Sequence, residues 1–183
     1  DPANPASDGD NVSDGIETGT GIYVGATNTG TNPLSRDSDG DTLTDPYELS
    51  YVGCLDPNVN DGAADCDNDG LSNLAEFQNR TFPNDPDSDD DTLTDGAEVN
   101  RLDGGSPAPT NPLRADTDAD GLSDPVGTGT AIFVSAANTG TDPRVTDSDG
   151  DTYTDGVEVR RGSNPTDPGG PLPNLNTPLI NLD

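Results

Sequence analysis

The sequence predicts a repeat array low in regular structure, in which short acidic loops are joined by short β-strands and short helical turns. Three observations predict it. The first is composition: 36 acidic residues against 7 basic ones give a formal charge of −29, and apolar residues make up 27% of the 183. Soluble domains ordinarily reach about 45–50% apolar. Burial at about 25 cal/mol per Å2 then falls short of the entropy of ordering so long a chain, so composition alone gives disorder, and an ordered fold needs another source of stability. The second observation is repetition. The stretch "DSDGDTLTDPYE" (37–48) recurs as "DCDNDGLSNLAE" (65–76), as "DSDDDTLTDGAE" (87–98) and as "DSDGDTYTDGVE" (147–158). Third, all five glutamates (Glu17, Glu48, Glu76, Glu98 and Glu158) stand at the twelfth position of a loop, which a random acidic tract would not produce.

Taken in order, the loops occupy residues 6–17, 37–48, 65–76, 87–98, 116–127 and 147–158. The loop at 6–17 has Ala6 in place of the first acid, and the loop at 116–127 has Gly127 in place of the last. A proline (Pro2, Pro33, Pro83, Pro112 or Pro143) stands four residues before five of the loops and imposes an extended approach. The sixth, 65–76, has Cys54 and Cys66 instead. Cys66 holds a position without ligand character, and a Cys54–Cys66 disulfide would tie this loop to the chain before it.

A larger repeat overlies the small one, since residues 14–33 match 124–143 at an offset of 110 positions. The β-branched and aromatic runs within it predict short strands at 22–26 and 131–136. The stretches "ELSYV", "EFQNR" and "EVNRL" predict one or two helical turns after position 12. Asp45, Pro46 and Glu48 also fit a capping box with Asp45 as the N-cap. The organisation predicted is a first unit at 1–105 with four loops, a second, partial unit at 106–168 with two, and an extended Pro/Leu/Asn tail at 169–183.

Acids at positions 1, 3, 5, 9 and 12 and a backbone carbonyl at 7 curl a loop around one hard cation. Ca2+ takes 6–8 oxygen ligands at about 2.3–2.6 Å in flexible geometry, whereas Mg2+ prefers a rigid octahedron that keeps several waters. With no His and only two Cys, softer metals lack ligands. About six or more calcium ions are therefore expected, and a chain whose order depends on them. Gly70 and Gly121 relieve the turn at position 6, where the other loops depart with Asn11, Thr42, Thr92 and Thr152. The charge excludes ordinary nucleic-acid binding, which needs cationic patches. No run of 18 apolar residues exists, so membrane insertion is not expected. An opening on Asp1 predicts a processed or excerpted product.

The segments "TNPLSRDSDGDTLTDPYE" and "TNPLRADTDADGLSD" resemble the thrombospondin type 3 repeat in its bacterial form, a likeness that covers roughly residues 6–165. The resemblance implies an elongated, metal-stabilised calcium-loop array in a secreted or cell-surface protein. It implies these ligands: Asp8, Asp10, Asp14 and Glu17; Asp37, Asp39, Asp41, Asp45 and Glu48; Asp65, Asp67, Asp69, Asn73 and Glu76; Asp87, Asp89, Asp91, Asp95 and Glu98; Asp116, Asp118, Asp120 and Asp124; and Asp147, Asp149, Asp151, Asp155 and Glu158. The two incomplete loops should bind most weakly.

Asn11 and Asn79 lie in glycosylation sequons. A catalytic role has no nucleophile–base pair to rest on, since His and Lys are absent. The expectation is a non-catalytic extracellular stalk, spacer or fibre subunit. The alternative is a calcium-dependent adhesion or ligand-binding module of a larger protein. Leu172, Leu175, Leu179, Ile180 and Leu182 make the tail the expected joint for self-association into a head-to-tail filament.

Overall fold

The computed structural model describes residues 5–103 and 105–170. From Pro171 on, the expected tail joint lies outside the described residues. The chain divides into two compact units, Asp1–Pro86 and Asp87–Asp183.

Regular structure is sparse. The described residues hold four short helices, α1 (Asp45–Ser50), α2 (Asn73–Asn79), α3 (Asp95–Val99) and α4 (Asp155–Arg161), and one two-stranded antiparallel pair, β1 (Leu102–Asp103) with β2 (Ser106–Pro107). The helical turns expected after position 12 therefore begin earlier, at position 9, and carry the glutamate inside them. The reason lies at position 8, which is always Ser or Thr in these four loops. Ser72, Thr94 and Thr154 are N-caps whose side chains accept from Ala75, Ala97 and Val157. In α1 the N-cap is Thr44, without a side-chain bond, and Asp45 is already helical. The capping box expected at Asp45 and Glu48 is thus not formed: the Asp45 carboxylate is held by Ser38, and neither Glu48 oxygen has a donor.

The strands expected at 22–26 and 131–136 are absent, and only the isolated bridges Gly25–Asn28 and Ser135–Asn138 remain. Each run folds back on itself as a narrow hairpin. Gly19 and Gly21 donate to Thr31 and Gly30, and Gly129 and Ala131 to Thr141 and Gly140. The closure needs glycine at Gly30 (φ 76°) and Gly140 (φ 74°), where a Cβ would collide with the backbone of Ile22 and Ile132. β-Propensity expresses packing on a half-buried surface. These runs have none, and Ile22, Val24, Ile132 and Val134 stay 64–70% exposed.

The apolar core is thin: Val12, Leu43, Leu55, Leu71, Ala108, Leu122 and Val159 are buried, and four of these are position-7 residues. Side chains buried beside them are mostly carboxylates and threonines. A small aromatic cluster joins α1 to α2, with Tyr47 5.0 Å from Tyr51 and 4.7 Å from Phe77 between ring centroids.

Candidate calcium sites

Each loop is curled by its own carboxylates. At position 1 the two oxygens receive the N–H groups of positions 4 and 6: Gly40 and Thr42 donate to Asp37 at 2.6 and 3.1 Å. Asp65, Asp116 and Asp147 do the same, while Asp87 takes Asp91 and Thr92. At position 3, one oxygen of Asp8, Asp39, Asp67, Asp89, Asp118 and Asp149 accepts from position 5. Position 5 repeats the step: Asp10, Asp41, Asp69, Asp91, Asp120 and Asp151 accept from position 7. Position 6 is left-handed in all six loops, with φ between 78° at Asn11 and 102° at Gly70, so Thr42, Thr92 and Thr152 share the glycine conformation rather than depart from it. For a β-branched residue that conformation is strained.

The second oxygens are left over. Asp8, Asp39, Asp89 and Asp149 at position 3, Asp10 and Asp91 at position 5, and Glu17, Glu98 and Glu158 at position 12 each keep one buried oxygen without a hydrogen-bond partner. Glu48 keeps both and is fully buried. In Asp8–Asp10–Glu17, Asp37–Asp39–Asp41, Asp65–Asp67–Asp69 and Asp87–Asp89–Asp91, one oxygen from each residue lies within 4.8 Å of the others. Burial, reinforced by neighbouring carboxylates, pushes Glu48 up to about 9, Glu98 to about 8, and Glu17 and Glu158 to about 7. Buried charge without a partner is costly. A hard divalent cation among these oxygens removes the cost, and the all-oxygen donor set fits calcium.

A family model of the bacterial TSP3 repeat matches residues 65–86 and 147–168, each opening on the first aspartate of a loop. These two stretches are similar to the bacterial TSP3 repeat. Neither a curated protein nor a solved structure matches the chain. TSP3 repeats bind calcium, and among the described residues no helix is long and apolar enough to cross a membrane.

Within these loops the position-9 side chain is engaged in a way the spacing alone did not reveal. Its two oxygens accept the N–H and the hydroxyl of position 2 in its own loop: Ser7 to Asp14, Ser38 to Asp45, Ser88 to Asp95, Thr117 to Asp124 and Ser148 to Asp155, at 2.6–2.9 Å. In the remaining loop Cys66 donates its N–H to Asn73. Three of these carboxylates also act on the preceding loop by their charge. Asp45 adds to the upward shifts of Asp10 and Glu17, Asp124 to those of Asp89, Asp91 and Glu98, and Asp155 to that of Asp118. Position 9 clasps its own loop and contributes charge to the loop before it. The available signal was Ser or Thr at position 2 in five of the six loops.

Arginines serve the two incomplete loops. Arg36 donates to the carbonyls of Asp8 and Gly9 at 2.9 and 3.0 Å. In the loop at 116–127, Arg101 donates to the carbonyls of Asp124 and Gly127, and Arg160 to that of Gly121. The Cys54–Cys66 disulfide is formed. Of the sequon residues, Asn11 is exposed, and Asn79 closes α2 with its amide donating to Ala75. Sequence reasoning missed Asp61, whose carboxylate meets those of Asp41 and Glu48 within 4.8 Å.

Proposed function

We propose that the protein is a non-catalytic, extracellular structural module stiffened by calcium: a stalk, spacer or filament subunit whose loops order around bound ions. The observation that carries this is the set of buried position-12 carboxylate oxygens left without a donor: one each at Glu17, Glu98 and Glu158, and both at Glu48. In a chain with so thin an apolar core, ion binding is folding free energy. Self-association through residues 169–183 is part of the proposal and rests on the apolar character of that tail alone.

The test is electron microscopy and far-UV circular dichroism with and without EGTA. Ordered filaments in calcium that disperse and lose structure on chelation support the reading. A spectrum indifferent to EGTA ends it, and filaments unchanged after deletion of residues 171–183 remove the tail as the joint. An adhesion or ligand-binding module is the second reading, favoured by the hairpins that hold Ile22, Val24, Ile132 and Val134 in solvent. Monomers that capture an immobilised glycan or protein in calcium would support it.

A further inference from the structure

We propose that Asp61, in the connector between two loops and outside the repeat pattern, is a calcium ligand of the loop at 37–48. It takes the place that the next loop's position-9 aspartate fills beside three other loops. The inference rests on the calcium reading above and names one residue of that chemistry.

Carboxylate oxygens of Asp41, Glu48 and Asp61 lie within 4.8 Å of one another. Glu48 is fully buried with no donor to either oxygen, and Asp61 Oδ1 is buried without a partner too. Asp61 Oδ2 accepts from the Asp56 N–H at 3.1 Å, which fixes the carboxylate's orientation. The group is thus an acidic cluster that contains a fully buried, unpartnered glutamate, and a cation is the missing partner.

The neighbouring loop explains why the residue is needed. The charge of Asp45 acts on the loop at 6–17, that of Asp124 on the loop at 87–98 and that of Asp155 on the loop at 116–127, where Gly156 beside it donates its N–H to Asp120. The loop that follows 37–48 has Asn73 at this position, and an amide carries no charge. Asn73 instead donates its Nδ2 to the Asp61 carbonyl at 2.9 Å. The connector is held for the task. Asp61 and Gly62 donate their N–H groups to Asp41 Oδ2 at 3.1 and 2.6 Å, and a Cβ at Gly62 would meet that oxygen at 3.0 Å. The Cys54–Cys66 disulfide closes a ring across a separation of 12 residues with Asp61 inside it, limiting where the carboxylate can go.

The test counts calcium ions on the full chain by native mass spectrometry over a series of free Ca2+ concentrations, with circular dichroism alongside. Asp61→Asn should carry one ion fewer than the wild type at limiting calcium and recover it only at roughly tenfold higher free Ca2+ or more. Val59→Ala, an exposed change in the same connector away from the cluster, should match the wild type. The double variant Asp61→Asn/Asn73→Asp, which returns a carboxylate to position 9, should regain the ion. An Asp61→Asn titration that overlays the wild type overturns the proposal. So does a double variant no tighter, or no better folded, than the single one. A wild type that binds no calcium would instead fail the functional reading itself.

Discussion

The loops at 37–48 and 116–127 reach the same curl from different charge arrangements. Both bind positions 4 and 6 to the first aspartate, and both hold position 6 left-handed, with φ 86° at Thr42 and 92° at Gly121. The first closes on Glu48, a buried carboxylate with no donor. The second closes on Gly127, where Arg101 reaches the last carbonyl and Arg160 lies over Gly121. One loop closes on an unpartnered carboxylate; the other has the chain's own cations at its carbonyls. On the proposed calcium reading, dependence on the ion should therefore be uneven among repeats that look alike in sequence.

The largest effect should come from Glu48→Gln. The amide keeps the size and loses the charge, so calorimetry should show the tightest class of sites reduced by one, with affinity there lower by roughly tenfold or more. Asp118→Asn in the loop at 116–127 should cost less, because that loop has no position-12 acid. An equal loss in both would erase the contrast between the loops.

Acidity probes the same contrast in the metal-free protein. Glu48, Glu98, Glu17 and Glu158 are raised by burial in the folded chain to about 9, 8, 7 and 7. The folded state therefore binds protons more tightly than the unfolded one, and this contribution is fully present only below the ordinary glutamate range. Stability in EGTA should fall as pH rises from about 5 to 9. Saturating calcium, which replaces those protons, should flatten the profile. Thermal melts across that range check both curves, and metal-free stability that rises with pH would contradict the assignment.

Arg101→Gln should destabilise the second unit in EGTA by about 1–3 kcal/mol, since the carbonyls of Asp124 and Gly127 lose a charged donor. Limited proteolysis in EGTA would report it as faster cleavage within residues 87–170. The smallest effect should come from Thr42→Gly, where relief of the left-handed threonine is offset by glycine's chain entropy, leaving a gain below about 1 kcal/mol. The reverse change, Gly121→Thr, meets the Arg160 guanidinium and should expel it, a loss visible in the same melts.

What the sequence disclosed was whatever repeats at fixed spacing. Six loops, the glutamate at position 12 and the disulfide pair are local patterns with a chemical reason, and the acids at positions 1, 3 and 5 shape each loop by local bonds. What it did not disclose depends on contacts between segments. "GIYVGA" carries strand composition, yet strands need a neighbour, and Gly30 lets the backbone close on Ile22 before one is found. Spacing presented position 9 as a ligand but did not show its hydrogen bonds to position 2, seven residues away, or its charge acting on the preceding loop. Asp61 belongs to no repeat, and only the fold of the connector onto Asp41 gives it a role.

The most direct test of this account is amide hydrogen exchange, resolved by residue, in calcium and in EGTA. Loop closure ties the N–H groups of Thr42 and Leu43 to Asp37 and Asp41, and those of Gly121 and Leu122 to Asp116 and Asp120. The account predicts that chelation strips protection from Thr42 and Leu43 while Gly121 and Leu122, under Arg101 and Arg160, keep a larger share of theirs. Protection that survives EGTA equally in both loops, or that vanishes equally from both, would contradict it.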